Sequence, residues 1–394
     1  MRPRPLDTPA IVCFSAQDWW YHNRAHSDFQ LMTRVSAERR VLLVNSLGLR
    51  VPAPGRSPDV LPRLVRKLRS MTKLLRSPRE DLPDYFVYTP LILPLYGSER
   101  GRRLGAAVVR LQVRGVMWWL RIRRPVFFVT LPTAWDVISR MGSSALIYNR
   151  SDKHSSFPEV DADYVRSREE SLLREAGVAL YVSHALMEHD SPLVGDRAVF
   201  LDHGVDLEHF TLERAPVPPE DVAGIAAPVV GFFGAFDDYT IDFDLLERVA
   251  VELPDATLLL VGPAYTNMGR LTRHANVVWL GARSYEAIPS YGRVFDVALM
   301  PWLRNDWIRN CNPIKLKEYL ALGLPVVSTD YPDVHRYAAV VDVASSADEF
   351  VELVRAALSD GSSRGSERRA SVAAASWDVR ASEVLQLCDT LTGP

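Results

Sequence analysis

Short apolar runs alternate with stretches of helical period along the whole chain. In the first half the runs are AIVCFS, RVLLVNS, YFVYTP, PVFFVT, ALIYN, VALYVS and RAVFLD, each bounded by turn-forming or polar residues. Runs this short and unbroken suit strands covered on both faces, and the helical segments between them imply a parallel, doubly wound α/β sheet. A second series follows: PVVGFFG, ATLLLVG, NVVWLG, FDVALMP, LPVVST and AAVVDV, with helices predicted over 244–252 and 348–358. Between the series, FTLERAPVPPEDVAGIAAP (210–228) is rich in proline and acid, lacks a period, and reads as an interdomain linker. The pattern divides the chain into 1–209, 210–375 and a closing helix within 376–394.

Length and composition agree with two globular domains: 394 residues, 47% apolar, 24% charged, with no biased tract or fixed repeat. Cys13, Cys311 and Cys388 have no paired spacing, which argues against a disulfide framework or a zinc cage and fits a reducing compartment. Near the N-terminus, Arg2 and Arg4 precede Asp7, Pro9 and a short apolar run, which does not match a signal peptide. No run reaches the roughly 18 apolar residues of a membrane span, so a cytoplasmic protein is expected.

Charge is uneven. Residues 1–125 hold 23 Lys/Arg against 9 Asp/Glu, whereas the remainder holds 23 against 39. A basic first domain suggests an anionic surface as neighbour. In LPRLVRKLRSMTKLLR, Leu61, Leu64, Leu68, Met71 and Leu75 line one helical face, with Arg63, Arg66, Lys67, Lys73 and Arg76 around the other. Such a helix either docks its apolar face on its own sheet or meets anionic lipid at the inner face of a membrane. No nucleic-acid module accompanies the charge, so nucleic acid is not expected as a partner.

The densest signal is NPIKLKEYLALGLPVVST (312–329). Asn312 suits an N-cap, Pro313 suits the first helical position, and Gly323 with Pro325 stops the helix before a buried strand. The start of such a helix offers free N–H groups to an anion. Lys315 and Glu318 lie three apart on one face, while Lys317 is expected in solvent. Elsewhere, Gly231 and Gly234 (G-x-x-G) follow the opening strand of the second series, and no G-x-G-x-x-G is present. Arg150, Ser151, Asp152, Lys153 and His154 crowd one strand end, and WLRNDWIRNCN precedes the helix. The DAD at 161–163 has a metal-binding form, yet it directly precedes a helical stretch and is better explained as a cap. HNRAH puts His22 and His26 four apart, with Asn23 where a zinc protease needs glutamate.

Taken together, VVGFFGAFDD, PDATLLLVGP, NVVWLGARSYEAIPSYGRVFDVALMPW and NPIKLKEYLALGLPVVST resemble the nucleotide-sugar domain of GT-B glycosyltransferases, in particular the teichuronic-acid biosynthesis type. The likeness is strong over roughly 178–330, including HGVDLEHF at the domain junction. In the first half DWWYHNRAH, YTPLILP and YNRSDKHSSF look like the family's acceptor-side patterns. The resemblance implies two Rossmann-like domains facing across a cleft, with the last helix crossing back to the first domain. It also implies transfer of a sugar from a nucleoside diphosphate to a glycan or lipid-linked acceptor, in envelope or exopolysaccharide synthesis, with neither metal nor other cofactor.

On this likeness Glu318 matches the family glutamate that accepts the ribose hydroxyls, and Lys315 reaches a phosphate. The nucleotide-sugar side is expected to include Gly234, Ala235, Gly281, Arg283, Tyr285, Arg309, Asn310, Asn312 and Pro313. The chain departs from the pattern at Asn310, where many relatives have a second glutamate, and in GFFGAFDDYT, which lacks their cations. Arg309, Lys315, the helix terminus, Arg150 and His154 are the remaining sources of positive charge or N–H donors. Asp152 is the candidate base if configuration inverts, or an orienting group if it is retained; His154 is its neighbour in the catalytic set. Asn23, Arg24 and His26 are placed in an acceptor loop. Trp302, Trp307 and Tyr285 either stack on ligand or pack within the domain. A GT-B-fold epimerase or hydrolase and a silent binding subunit are the alternatives.

Overall fold

The computed structural model describes residues 8–48, 60–92, 98–157, 160–212, 218–361 and 363–393, and the side chains of 60–64 lie outside this set. The chain divides into two compact units: 1–182 with 186–202 and 380–394, and 183–185 with 203–379.

The first unit is built on an eight-stranded sheet: β1 (Ile11–Phe14), β2 (Val41–Val44), β3 (Leu75–Arg76), β4 (Tyr85–Tyr88), β5 (Val126–Val129), β6 (Ala145–Arg150), β7 (Val178–Tyr181) and β8 (Ala198–Phe200). Their order is β3-β4-β2-β1-β5-β6-β7-β8, and every pairing but β3 with β4 is parallel. All four residues of β1, β2, β4, β5 and β7 are buried, which is why these strands stand out as unbroken apolar runs. Helices cover the sheet; Glu99–Trp119, for example, docks through Val109, Val113 and Met117.

The second sheet has six strands: β9 (Val229–Phe233), β10 (Thr257–Val261), β11 (Val277–Trp279), β12 (Val297–Met300), β13 (Val326–Thr329) and β14 (Asp342–Ala344), ordered β11-β10-β9-β12-β13-β14 and wholly parallel. In each sheet the order reverses at the first strand, beside β1 and beside β9. The carboxyl ends of strands at such a reversal are where doubly wound sheets bind ligands.

Three expectations need correction. The segment 61–76 is not one helix: the helix ends at Met71, and Leu75–Arg76 pairs antiparallel with β4. Its polar edge, not Leu68, faces the protein. Ser70 donates to the buried Asp18 at 2.7 Å, and Lys67 Nζ reaches Asp18 at 3.3 Å and the Ser46 carbonyl at 2.7 Å, while Leu68 stays exposed. A carboxylate removed from water requires such donors, and supplying them overrides the apolar periodicity. The stretch 210–228 is not a free linker in its described part either, because Phe210 and Val222 lie in the second unit's core and Asp221 is bound by Arg283.

Where the chain enters and leaves the second unit its two segments are joined. Val205 N donates to the Ala375 carbonyl at 2.8 Å, and a Cβ on Gly204 would fall 2.8 Å from Cα of the buried Trp377. The last helix runs Trp377–Thr392. From Arg380 onward it belongs to the first unit, where Val384, Leu385 and Cys388 are buried and Asp389 pairs with the buried Arg39. Among the described residues no helix is long and apolar enough to cross a membrane.

Candidate active site

The helix Ile314–Leu322 follows Pro313, which has extended backbone (φ −65°, ψ 125°), and ends at Gly323 in the left-handed region (φ 78°). Pro313 occupies the cap position without a side-chain capping bond. Asn312 is therefore not the cap; its Oδ1 accepts from Lys317 Nζ at 3.3 Å. Lys317 is fully buried rather than solvated, because this helix is enclosed on all sides from Leu316 to Leu322.

Tyr319 fixes the helix to the sheet. β12 pairs with β9 only at Val230 and Gly231, so the N–H of Phe233 is left without that neighbour and instead donates to the Tyr319 hydroxyl at 3.0 Å. Lys315 is four residues earlier, on the same side of the helix. Its stem therefore lies against Gly234, just past the end of β9, where a Cβ would collide with Cε and sit 3.1 Å from Nζ. Gly234 has φ 153° and Gly262, beside it, φ 147°; a side chain on Gly262 would overlap the Gly234 carbonyl. Gly231 has a different reason: the ring of Phe295 fills the space a side chain would need. Of the G-x-x-G pair, one glycine serves packing and the other admits a cation. GFFGAFDDYT has no cation of its own, and the Lys315 side chain of helix Ile314–Leu322 stands beside its Gly234.

Lys315 and Glu318 are mutually close, and among the described residues neither side chain makes a hydrogen bond to another protein group. Burial pushes the Glu318 carboxyl up to about 7, with Lys315 opposing, and burial lowers the Lys315 ammonium, with Glu318 and Asp237 opposing. The ammonium lies 5.4 Å from the ring centre of Trp302, whose indole is buried against Phe232 and is packing rather than a ligand platform. Asp237 turns the loop after β9, accepting from Thr240 N and Oγ1 at 2.8 Å each.

The other expected donor-side residues vary. Ala235 is half-buried beside Gly234, and Gly281 (φ 71°) accepts from Gly262 N at 2.8 Å with open space where a Cβ would be. Arg309 is 68% exposed and 3.9 Å from Asp306, and Asn310 donates to the Asp306 carbonyl at 2.7 Å. Tyr285 packs on His209 and Phe210. Arg283 is engaged elsewhere, binding Asp221 at 2.8 Å and the Tyr291 hydroxyl at 2.8 Å, so its guanidinium is occupied within the unit.

In the first unit the polar set at the end of β6 is reordered by burial. Arg150 is not a free cation. It is enclosed with Glu169 and with Asp190 (3.0 Å), and it donates to the Asp152 carbonyl at 3.0 Å. Burial opposes its charge, but Tyr148, Glu169 and Asp190 outweigh that and hold it protonated. Glu169 also accepts from Ser155 N at 3.2 Å, so the ion pair fixes both sides of the Asp152–His154 loop. Asp152 is pushed up to about 7 by burial, partly countered by Arg150. His154 is buried, and burial lowers it to about 4; it is neutral at pH 7 and not a phosphate cation. Among the described residues its enclosed Nδ1 has no hydrogen-bond partner.

The predicted acceptor loop is mostly folded on itself. Asn23 Oδ1 accepts from Ala25 N at 2.8 Å, Arg24 lies 3.8 Å over Trp19 and bonds its carbonyl, and His26 stands at the start of helix Ser27–Val35 against Phe29. Two buried carboxylates at the strand ends are not apparent in the sequence. Asp18 is held by Ser70, Asn45 and Lys67; Asp28, raised by burial, is held by Ser15 at 2.8 Å and Thr130 at 2.7 Å. Trp20 N also donates to Asp18 locally, but the side chains that hold the two carboxylates lie 13 to 102 residues away, so no local motif announces their burial. As expected, Asp161 caps helix Ala162–Glu175, accepting from Tyr164 N. Among the described residues no group of three His, Cys, Asp or Glu could hold a metal ion.

Two parallel-sheet α/β units of this order define the GT-B fold, and solved structures of that kind superpose over nearly the whole chain. Sucrose-phosphate synthase from Thermosynechococcus elongatus matches with TM-score 0.71 at 14% identity, covering 96% of this chain and 98% of its own. Anabaena HepE in complex with UDP matches with TM-score 0.65 at 14% identity, covering 96% and 99%. Residues 227–360 match the family described as Glycosyl transferases group 1. The teichuronic acid biosynthesis glycosyltransferase TuaH of Bacillus subtilis (strain 168) is 28% identical over 206 residues, which is 50% of this chain and about half (52%) of that protein.

Proposed function

We propose that the chain transfers a sugar from a nucleoside diphosphate sugar, with UDP sugars as the first class to test, to a saccharide or lipid-linked saccharide acceptor of the cell envelope, without a metal. The observation that carries this reading is the Lys315–Glu318 pair: a half-buried cation and a buried carboxylate, both without side-chain hydrogen bonds to protein among the described residues, on the first turns of a helix seated at a sheet's reversal point. The N–H groups of the helix start and the Lys315 ammonium meet the diphosphate, the dipole adding about 0.3 to 2 kcal/mol. Glu318 has two acceptor oxygens for two vicinal ribose hydroxyls. The neighbour crystallised with UDP and the envelope-related name of the curated relative support the donor class and setting.

In the reaction the bond from the anomeric carbon to the diphosphate oxygen breaks, its electron pair leaving with the nucleoside diphosphate, and a bond to the acceptor oxygen forms. Negative charge grows on the diphosphate, where Lys315 and the helix terminus stabilise it more than in the ground state. The acceptor proton passes to a carboxylate or to the departing phosphate. Asp152, with a carboxyl near pH 7, is the first unit's candidate for the former.

Calorimetry with UDP, GDP, ADP and dTDP sugars tests the reading. One class should bind, and Glu318→Ala should weaken that binding about tenfold or more without lowering the melting temperature. Unchanged affinity in that variant, or no binding by any of the four, overturns it. Isomerised donor formed without acceptor would point to an epimerase.

A further inference from the structure

We propose that the outer face of helix Glu99–Trp119 is a docking surface for an anionic phospholipid bilayer. The helix is buried on one side through Val109, Val113 and Met117. On the other it presents Leu104, Leu111 and Trp118, which are 54%, 74% and 68% exposed. These three are spaced by seven residues and so stay on one line, about 21 Å long, along the helix. Isolated exposed leucines are ordinary, but an aligned row ending in a tryptophan is what an interfacial helix offers to lipid.

The charge around the row selects the partner. From residue 99 to 124 the sequence has eight arginines and a single acid, Glu99, which is paired with Arg103. Arg100 lies at the start of the row, Arg103 and Arg114 flank one edge at 100° per residue, and Arg121, Arg123 and Arg124 follow its end; all six are exposed. Arg114 also bonds the Arg140 carbonyl. A second copy of this chain docked by the same face would set these arginines against each other, whereas an anionic lipid surface neutralises them while taking up the leucines and tryptophan. The helix Val60–Met71, whose sequence allows either docking on its own sheet or lipid contact, turns Lys67 and Ser70 inward to Asp18. This inference deepens the proposed function, since it rests on a membrane-borne acceptor for its purpose but on this helix alone for its evidence.

Co-sedimentation of the full chain with phosphatidylglycerol/phosphatidylethanolamine vesicles tests it, with phosphatidylcholine vesicles as control. The protein should bind the anionic vesicles at least tenfold better than the neutral ones at low salt, and lose most of that binding at high salt. Leu111→Glu with Trp118→Glu should weaken binding tenfold or more without moving the melting temperature, and Arg100→Gln with Arg103→Gln should weaken it less. Wild-type binding by the Leu111→Glu/Trp118→Glu variant, equal binding to neutral vesicles, or a dimer in sedimentation that this variant abolishes would overturn the proposal. Nucleotide-sugar affinity is read separately: intact donor binding without vesicle binding sinks this inference alone, and the reverse sinks the proposed activity alone.

Discussion

Gly234 and Lys315 are shaped for each other: the lysine stem occupies the space that any side chain at Gly234 would need, and its ammonium would lie 3.1 Å from an added Cβ. Gly234→Ala should therefore displace the cation as well as strain a backbone at φ 153°. Donor affinity should fall about tenfold or more, the scale of one charge-assisted hydrogen bond. Calorimetry on the folded variant decides; affinity equal to wild type would place the phosphate away from Lys315.

Glu318 makes a prediction with a definite sign. Its carboxyl is held at about 7 by burial, above the ~4.3 of an unfolded chain. The folded state thus holds this proton more tightly, so the group's contribution to stability is complete below about pH 4 and is lost as pH rises through about 7. Denaturant titrations should show Glu318→Gln gaining on wild type between pH 4 and 8, by on the order of 3 to 4 kcal/mol. A gain in the opposite direction would mean that the carboxylate is charged and satisfied in the free protein.

Asp152 is held near neutrality by burial, and its loop is pinned by Arg150 and Glu169. Asp152→Asn should lower kcat by about 10²- to 10⁴-fold, if the carboxylate takes the acceptor proton, and remove a pH–rate limb near 7. Donor Kd should not change. A loss of less than about tenfold would leave Asp152 an orienting group and the proton to the leaving phosphate.

The Arg150–Glu169–Asp190 cluster is a structural risk as well as a support. Removing Glu169 takes one of two counterions from a buried guanidinium that keeps Asp190, and leaves Ser155 N without its acceptor, so Glu169→Ala should cost roughly 1 to 3 kcal/mol, measured by chemical denaturation. Replacing Arg150, Glu169 and Asp190 together by apolar residues of similar volume should cost less than Glu169→Ala alone.

Arg283 provides the contrasting case. Because it is bound to Asp221 and Tyr291, Arg283→Gln should change stability by about 0 to 1 kcal/mol and leave donor affinity within about twofold. A large loss of donor affinity would return this residue to the ligand site.

The strands are legible because sheets covered on both faces write themselves as unbroken apolar runs, and β3 is not because two residues make no run. The Gly323 stop and the Lys315–Glu318 pair are local and can be read. Sequence reasoning fails where a distant partner decides the outcome. Lys317 reads as a surface residue until the helix is seen to have no solvent side. Arg150 reads as a free cation until helices carrying Glu169 and Asp190 close over it. The spacing around Lys67 and Ser70 points to an apolar face, yet Asp18, 49 and 52 residues before them, sets how their helix lies.

The return of the chain to its first unit sets an order of events during synthesis. Val384, Leu385 and Cys388 fill that unit's interior, and Asp389 neutralises its Arg39. These residues leave the ribosome only after the whole of the second sheet has emerged. Until then the first unit lacks the side chains that fill this part of its interior, and truncation at residue 379 would leave that vacancy permanent, with Arg39 deprived of its carboxylate.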